Sequence, residues 1–184
     1  MPNIDDSEID FLNMYANILT DIGIGDYTYE DVQKYQSSIT GGISASFTMI
    51  PNKGDSEHKL ALKISGKSLE KNAHLMQDLM IRTVQEANFG EHQRIQELLS
   101  FISADNEQSL TQNGHVLAMA NAASQLTEVA STNDLTSGIR FINNTGLLSK
   151  NIGDEGSLDI YIKNLKSIQL VFYFLNKMEY PLLF

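Results

Sequence analysis

The chain has 184 residues, 42% of them hydrophobic, enough for a packed core in one domain or one large piece of a domain. A formal net charge of −10 argues against nucleic-acid binding, which needs a clustered Lys/Arg surface to neutralise phosphates. Cysteine is absent, which excludes a disulfide framework and a Cys-ligated zinc site.

In chain order, residues 7 to 22 repeat apolar positions at helical spacing through Ile9, Leu12, Tyr15, Ala16 and Leu19, and "IGIGDY" at 22 to 27 supplies the glycine stop. Thr28 with Asp31 resembles an N-capping pair, so a second short helix is expected to run to about Ile39. The period then changes to two. Ile43, Ala45, Phe47 and Met49 alternate with Ser44, Ser46 and Thr48, the pattern of a strand with one buried face. "PNKGD" at 51 to 55 reads as a turn into a second alternating run through Leu60, Leu62 and Ile64, which makes a hairpin.

Everything after Gly66 reads as helical. One helix is expected from Ser68 to "NFG" at 88 to 90, and the next from near Glu91 until "NG" at 113 and 114 ends it. The alanine-rich "HVLAMANAASQL" at 115 to 126 suits close helix packing, and Ser131 with Asp134 is expected to cap a segment broken by Gly138 and Gly146. Ser157 begins the last helix, through Leu158, Tyr161, Leu165, Ile168 and Phe172. The fold class is therefore α+β: a helix pair, a β-hairpin of an open sheet, then several helices packed on one side. A lone hairpin is marginal. Further strands are expected either outside this chain or in poorly patterned parts such as "MEYPLLF" at 178 to 184.

The most apolar stretch, "SIQLVFYFL" at 167 to 175, is too short to span a bilayer and reads as core, so no membrane partner is expected. The acidic "MPNIDDSEID" at the start has neither the pattern of a secretion signal nor that of a transit peptide. An intracellular setting is expected, whether bacterial cytoplasm or mitochondrial matrix. Residues 1 to 57 hold ten acids against Lys34 and Lys53, a net of −8, which concentrates the negative charge in the first third.

Three patterns invite a functional reading. Gly41 and Gly42 in "SSITGGISASFTM" look like a phosphate loop, but they precede a strand rather than a helix N-terminus and no Lys lies within six residues; they read as a backbone turn. The four histidines, His58, His74, His92 and His115, stand at least sixteen residues apart, so no pair shares one helical turn as two zinc ligands would, and no metal site is expected. Glu91, Arg94 and Glu97 share a helical face at spacings typical of a solvated, salt-bridged surface. No serine lies in a nucleophile-elbow pattern, and no catalytic residue is assigned.

The blocks "TGGISAS", "LKISGKSLEKN", "NFGEHQRIQELL", "NGHVLAMANAASQL" and "SGI", in this order, resemble the third, peptidase-associated domain of presequence protease-like zinc metallopeptidases of the pitrilysin/insulinase class, over roughly residues 8 to 150. Asn113 stands where the family usually has Ser, and Asn121 where it usually has Arg, which leaves that arginine's contact without its usual donor. The resemblance implies a metallopeptidase-like domain, a fragment of a larger clamshell of four related α/β domains around a chamber where unfolded peptides are cut. It also implies that zinc belongs to the first domain only, on an inverted His-x-x-Glu-His helix; the helix taken as its counterpart, "DFLNMYANIL" at 10 to 19, has no histidine.

The expected function is that of a single non-catalytic domain over residues 1–184, holding no cofactor, with the neighbouring domains of the parent and peptide substrate as partners. Ser44, Ser46 and Thr48 mark the strand expected to face peptide, and the acidic first third would favour basic peptides. The alternative is a free-standing module that captures an extended peptide along an exposed strand edge.

Overall fold

A computed structural model describes residues 6–51, 58–151 and 156–177. The elements in order are α1 (Asp6–Leu19), β1 (Gly23–Ile24), α2 (Tyr29–Ile39), β2 (Ile43–Pro51), β3 (His58–Gly66), a 3-10 turn (Glu70–Asn72), α3 (Ala73–Gln85), β4 (Ala87–Asn88), α4 (His92–Ala123), α5 (Glu128–Ser137), α6 (Ile139–Asn151) and α7 (Ser157–Lys177). The described residues are mostly helical, with two small antiparallel sheets among them, an α+β fold. The expected turn at 51 to 55 and the expected strand at 178 to 184 fall, apart from Pro51, outside the described residues.

Helix α1 is the centre of the core. Leu12, Tyr15, Ala16 and Leu19 are buried as the spacing predicts, but Met14 and Ile18 are buried too. A helix wrapped on several sides has no single apolar stripe. The main cluster joins α1 to Ile95, Leu98 and Leu99 of α4, Phe141 of α6 and Tyr161, Ile162 and Leu165 of α7. A second cluster, Ile24, Val32, Ile39, Ile43 and Leu79, ties α2 and α3 to the base of the hairpin.

Local chemistry sets most of the helix starts. Thr28 accepts from the Asp31 N–H at 3.4 Å and donates to its carboxylate at 3.0 Å, which caps α2 as the sequence suggests. For α5 the expected cap, Ser131, lies inside the helix. Thr127 caps it instead, accepting from Ala130 N at 3.1 Å, because its extended backbone lets the hydroxyl reach back while Ser131 is already helical. Ser68 likewise does not open a helix, since the chain first makes the 3-10 turn at Glu70–Asn72.

Three further expectations are corrected. "NG" at 113 and 114 does not end α4: Asn113 alone leaves helical geometry (φ −118°, ψ 17°) and the helix continues to Ala123. The result is a kink, and Leu117 beyond it is still buried. Gly146 does not break α6, which runs on to Asn151, whereas Gly138 does separate α5 from α6. The chain after Gly66 is not wholly helical either, since β4 pairs with β1 through Gly23↔Asn88 and Ile24↔Ala87. Strands of two residues are too short for a periodicity to register.

Two phenols lie deep in the core. Burial pushes Tyr15 and Tyr161 above the ordinary tyrosine value, because the anion would lose its hydration. Both stay neutral in the fold while the unfolded chain releases the protons near pH 10, so above that pH the unfolded state binds fewer protons and stability falls. Each tyrosine is expected to remove up to about 1.4 kcal/mol per pH unit above pH ~10. The Tyr161 hydroxyl has no hydrogen-bond partner among the described residues. Tyr161→Phe is therefore expected to raise stability at pH 7 by about 1 kcal/mol, and to halve the alkaline slope of denaturant midpoints. A destabilised variant with an unchanged slope contradicts this.

Candidate functional site

The hairpin pairs β2 with β3 from Ile43↔Gly66 to Pro51↔His58. Its two faces differ. Ala45, Phe47, Leu62 and Ile64 pack against the main core, and α1 lies against β2. On the other face Ser44, Ser46, Lys63 and Ser65 are exposed, with the Ser44 and Ser65 hydroxyls 3.1 Å apart. Thr48, on the same side of the strand, is half-buried. Among the described residues neither strand has a second strand partner.

Phe47 is half-buried rather than enclosed, which lowers the cost of truncating it. Phe47→Ala is expected to cost about 2 kcal/mol, below the 3–5 kcal/mol of a fully enclosed Phe. Ser46→Ala is expected to stay within about 0.5 kcal/mol. Equal thermal shifts for the two variants would contradict the face assignment.

The lead into β2 is built by the threonine and the two glycines. Thr40 closes α2 by donating its hydroxyl to Gln36 O at 2.9 Å, and its oxygen accepts from Gly42 N at 3.0 Å. Gly41 N donates to Lys67 O at 2.7 Å and Lys67 N to Gly42 O at 3.3 Å, which ties the turn to the end of β3. Gly42 sits at φ +116°, a conformation a side chain rarely adopts. These amides are spent on the chain itself.

The acidic and basic face of α4 has a role that its spacing did not reveal. Glu91 is half-buried, and its carboxylate accepts from Gly23 N at 2.7 Å and from Tyr29 N at 3.0 Å. Arg94 donates to Asp21 O at 3.1 Å, lies 4.4 Å from the centroid of the Tyr29 ring and stands 3.7 Å from Glu97. Together they clamp the glycine-containing loop 21–29 onto the start of α4. The sequence reading of Glu91 and Arg94 as solvated surface charges is thus corrected. Their partners are backbone groups more than sixty residues away, which no local spacing encodes. A weak signal was available in an acid directly after the helix-preceding Gly90.

Two more features stand out in the helical body. Asn121 donates to Asp134 Oδ2 at 3.0 Å, while Asp134 Oδ1 accepts from Ile139 N at 3.2 Å and so caps α6. A cavity of about 740 Å³ opens between α1, α4 and the corner joining α5 to α6. The histidines do not assemble: His74, His92 and His115 are exposed on different turns, and His58 lies in β3. Among the described residues no three His, Cys, Asp or Glu side chains come together as a group that could hold a metal ion. No helix among them is long and apolar enough to cross a membrane.

Hairpin, clamp and helical body make up an α+β domain. The chain belongs to the peptidase M-16C associated family, which matches residues 1–147. It is similar to the mitochondrial presequence protease of Schizosaccharomyces pombe, 25% identical over 170 residues that make up 92% of this chain and 17% of that protein. It is similar as well to the mitochondrial presequence protease of Yarrowia lipolytica, 27% identical over 131 residues (70% of this chain, 13% of that one). A third relative is presequence protease 1, chloroplastic/mitochondrial, of Arabidopsis thaliana, 24% identical over 142 residues (77% and 13%). The chain thus spans 13–17% of the length of these relatives.

Proposed function

We propose that this chain is a non-catalytic domain of a zinc-dependent peptidase that degrades unfolded peptides, with a metallopeptidase-like fold, and that it forms part of the wall of the substrate chamber. The observation that carries the reading is the family match over residues 1–147 together with relatives named presequence protease. Zinc and the hydrolytic groups belong to the rest of the peptidase, whose domains are the partners of this one. The relatives' names favour a mitochondrial setting. In this reading the polar face of β2, with Ser44, Ser46 and Thr48, lies toward the peptide, the Gly41–Gly42 turn holds the strand in place, and the acidic first third draws basic peptides by its field.

A second reading, a free-standing peptide-binding module, draws on the hairpin, whose strands have no second strand partner among the described residues and to which an extended peptide could add as a strand. The two separate in a reconstitution experiment. The purified chain is expected to carry no stoichiometric zinc, to cleave no peptide alone and to keep its melting temperature in EDTA, since no folding free energy is tied to metal. Adding it to a catalytic remainder that lacks this region is expected to restore EDTA-sensitive peptide hydrolysis. About one zinc per chain, or EDTA-sensitive proteolysis by the chain alone, overturns the non-catalytic reading. Absence of any effect on the remainder leaves the free-standing module.

A further inference from the structure

Helix α4 changes character along its length. Its first turns seat Ile95, Leu98 and Leu99 in the core, but from 103 to 116 no residue is buried, and burial resumes at Leu117. The chain has no Lys or Arg between Arg94 and Arg140, so Asp105 and Glu107 have no basic partner one turn away. The side-chain bond from Asn113 Nδ2 to Ser109 Oγ within this stretch is long, at 3.5 Å. A helix that is polar on all sides and lacks such pairs has little beyond its backbone bonds to hold it, and it opens locally.

The same stretch holds the chain's only Asn-Gly pair, Asn113 with Gly114, and the sequence has no Asp-Gly pair. Asn113 is exposed and already off helical geometry at ψ 17°, and a β-carbon added at Gly114 would meet nothing within 4 Å. The amide nitrogen of a glycine is the least shielded by its own residue, and its backbone turns most freely. Attack of that nitrogen on the preceding Asn Cγ closes a five-membered ring, an intramolecular step that needs no second molecule to be brought up. Closure requires Asn113 ψ to turn away from 17°, which a buried, regular helix forbids and which this stretch permits whenever it opens.

We propose that Asn113–Gly114 is a self-modification site, where the asparagine passes through a cyclic imide to isoaspartate, and that this product unseats the far part of α4. Gly114 N loses its proton to solvent and bonds to Asn113 Cγ; the Cγ–Nδ2 bond breaks, and Nδ2 takes up a proton and leaves as ammonia. Water then adds to one of the two imide carbonyls. Cleavage at Cγ gives aspartate, and cleavage at the main-chain carbonyl carbon gives isoaspartate. The sum consumes water and releases ammonia, with nothing oxidised or reduced. Isoaspartate routes the main chain through Cβ and Cγ, an added backbone atom, so the amides beyond it miss the carbonyls four residues back. Leu117 and Asn121 follow within the next turns, so the buried leucine and the bond to Asp134 Oδ2 both leave register. The chemistry is independent of the peptidase role.

The test incubates the whole folded chain in neutral buffer over days to weeks. Isoaspartate is read by methyl transfer from S-adenosylmethionine with an isoaspartate methyltransferase, and peptide mapping by mass spectrometry places it. Isoaspartate is expected to accumulate at position 113 ahead of every other asparagine, and to be absent there in Asn113→Ser. Gly114→Ala, which fits the open space at that position, is expected to hold or raise the melting temperature and to slow the reaction about fivefold or more, because a better helix former makes opening rarer. The isoaspartyl fraction, separated by ion exchange, is expected to melt lower than Asn113→Asp and to exchange the amides of 114 to 121 faster. That variant carries the same added charge on an unaltered main chain. Modification at 113 no faster than at other asparagines, modification found only in urea, or an unchanged rate in Gly114→Ala overturns the site. An isoaspartyl fraction that melts and exchanges like Asn113→Asp overturns the unseating of α4.

Discussion

Gly138→Ala is expected to lower the stability of the chain by about 3 kcal/mol, at the upper end of what an added methyl costs in a tight site. Gly138 is buried between α5 and α6, and its backbone (φ −94°, ψ −162°) is open to any residue, so the cost is steric and not conformational. A β-carbon there would collide with Asp134 Oδ1 and come within 2.7 Å of the Asp134 Cα, which belongs to the backbone and cannot swing away. Moving the carboxylate aside would also break its bonds with Ile139 N and Asn121 Nδ2, leaving an almost fully buried charge without partners. The midpoint of denaturant unfolding should fall, and by more than for Gly146→Ala, where the added methyl meets nothing within 4 Å. Equal midpoints for the two variants would remove the basis for the close approach.

The second large effect belongs to the clamp. Glu91→Ala strips the acceptors from two backbone N–H groups, those of Gly23 and Tyr29, and each bond to a charged group is worth about 1.5–3 kcal/mol before solvent access is allowed for. Both bonds are only part-buried, so water replaces some of the loss, and a net cost of about 3 kcal/mol is expected, or roughly 6–12 °C in melting temperature. Glu91→Gln keeps one acceptor oxygen and should lose about half as much. Hydrogen exchange reports the effect locally: the Gly23 and Tyr29 amides should be protected in the unmodified chain and should exchange faster in Glu91→Ala, while those of α7 change only with global stability. Unchanged exchange at both amides would show that the carboxylate does not hold the loop.

These two sites show where local sequence stops being informative. The alternation from Ile43 to Met49 specifies a strand with an inner and an outer face, and the structure places Ser44 and Ser46 outside and Ala45 and Phe47 against the core. Thr28 caps α2 because an extended threonine before an acidic first turn has few other uses. The kink at Asn113 is a different case. An Asn-Gly pair permits either a helix end or a bend, and the burial of Leu117 beyond the pair goes with a helix that continues.

By itself, then, the sequence determined the α+β class, the hairpin and its faces, the cap of α2 and membership of a peptidase-associated family, because each of these is written in neighbouring residues or in blocks of sequence. The tertiary structure alone decided that α1 is buried on several sides, that β1 pairs with β4, that Asp134 caps α6 and that Glu91 and Arg94 hold a loop rather than decorate a surface. It also decided that Asn13 and Asn17 from one helix and Asp105 and Asn106 from another line the same cavity. The physical reason is common to all of these. Helical and strand periods act over a few residues, whereas the partner of a buried carboxylate, a two-residue strand or an unpaired carboxamide is chosen by how distant segments pack, and hydrogen-bond geometry then selects the one group within reach.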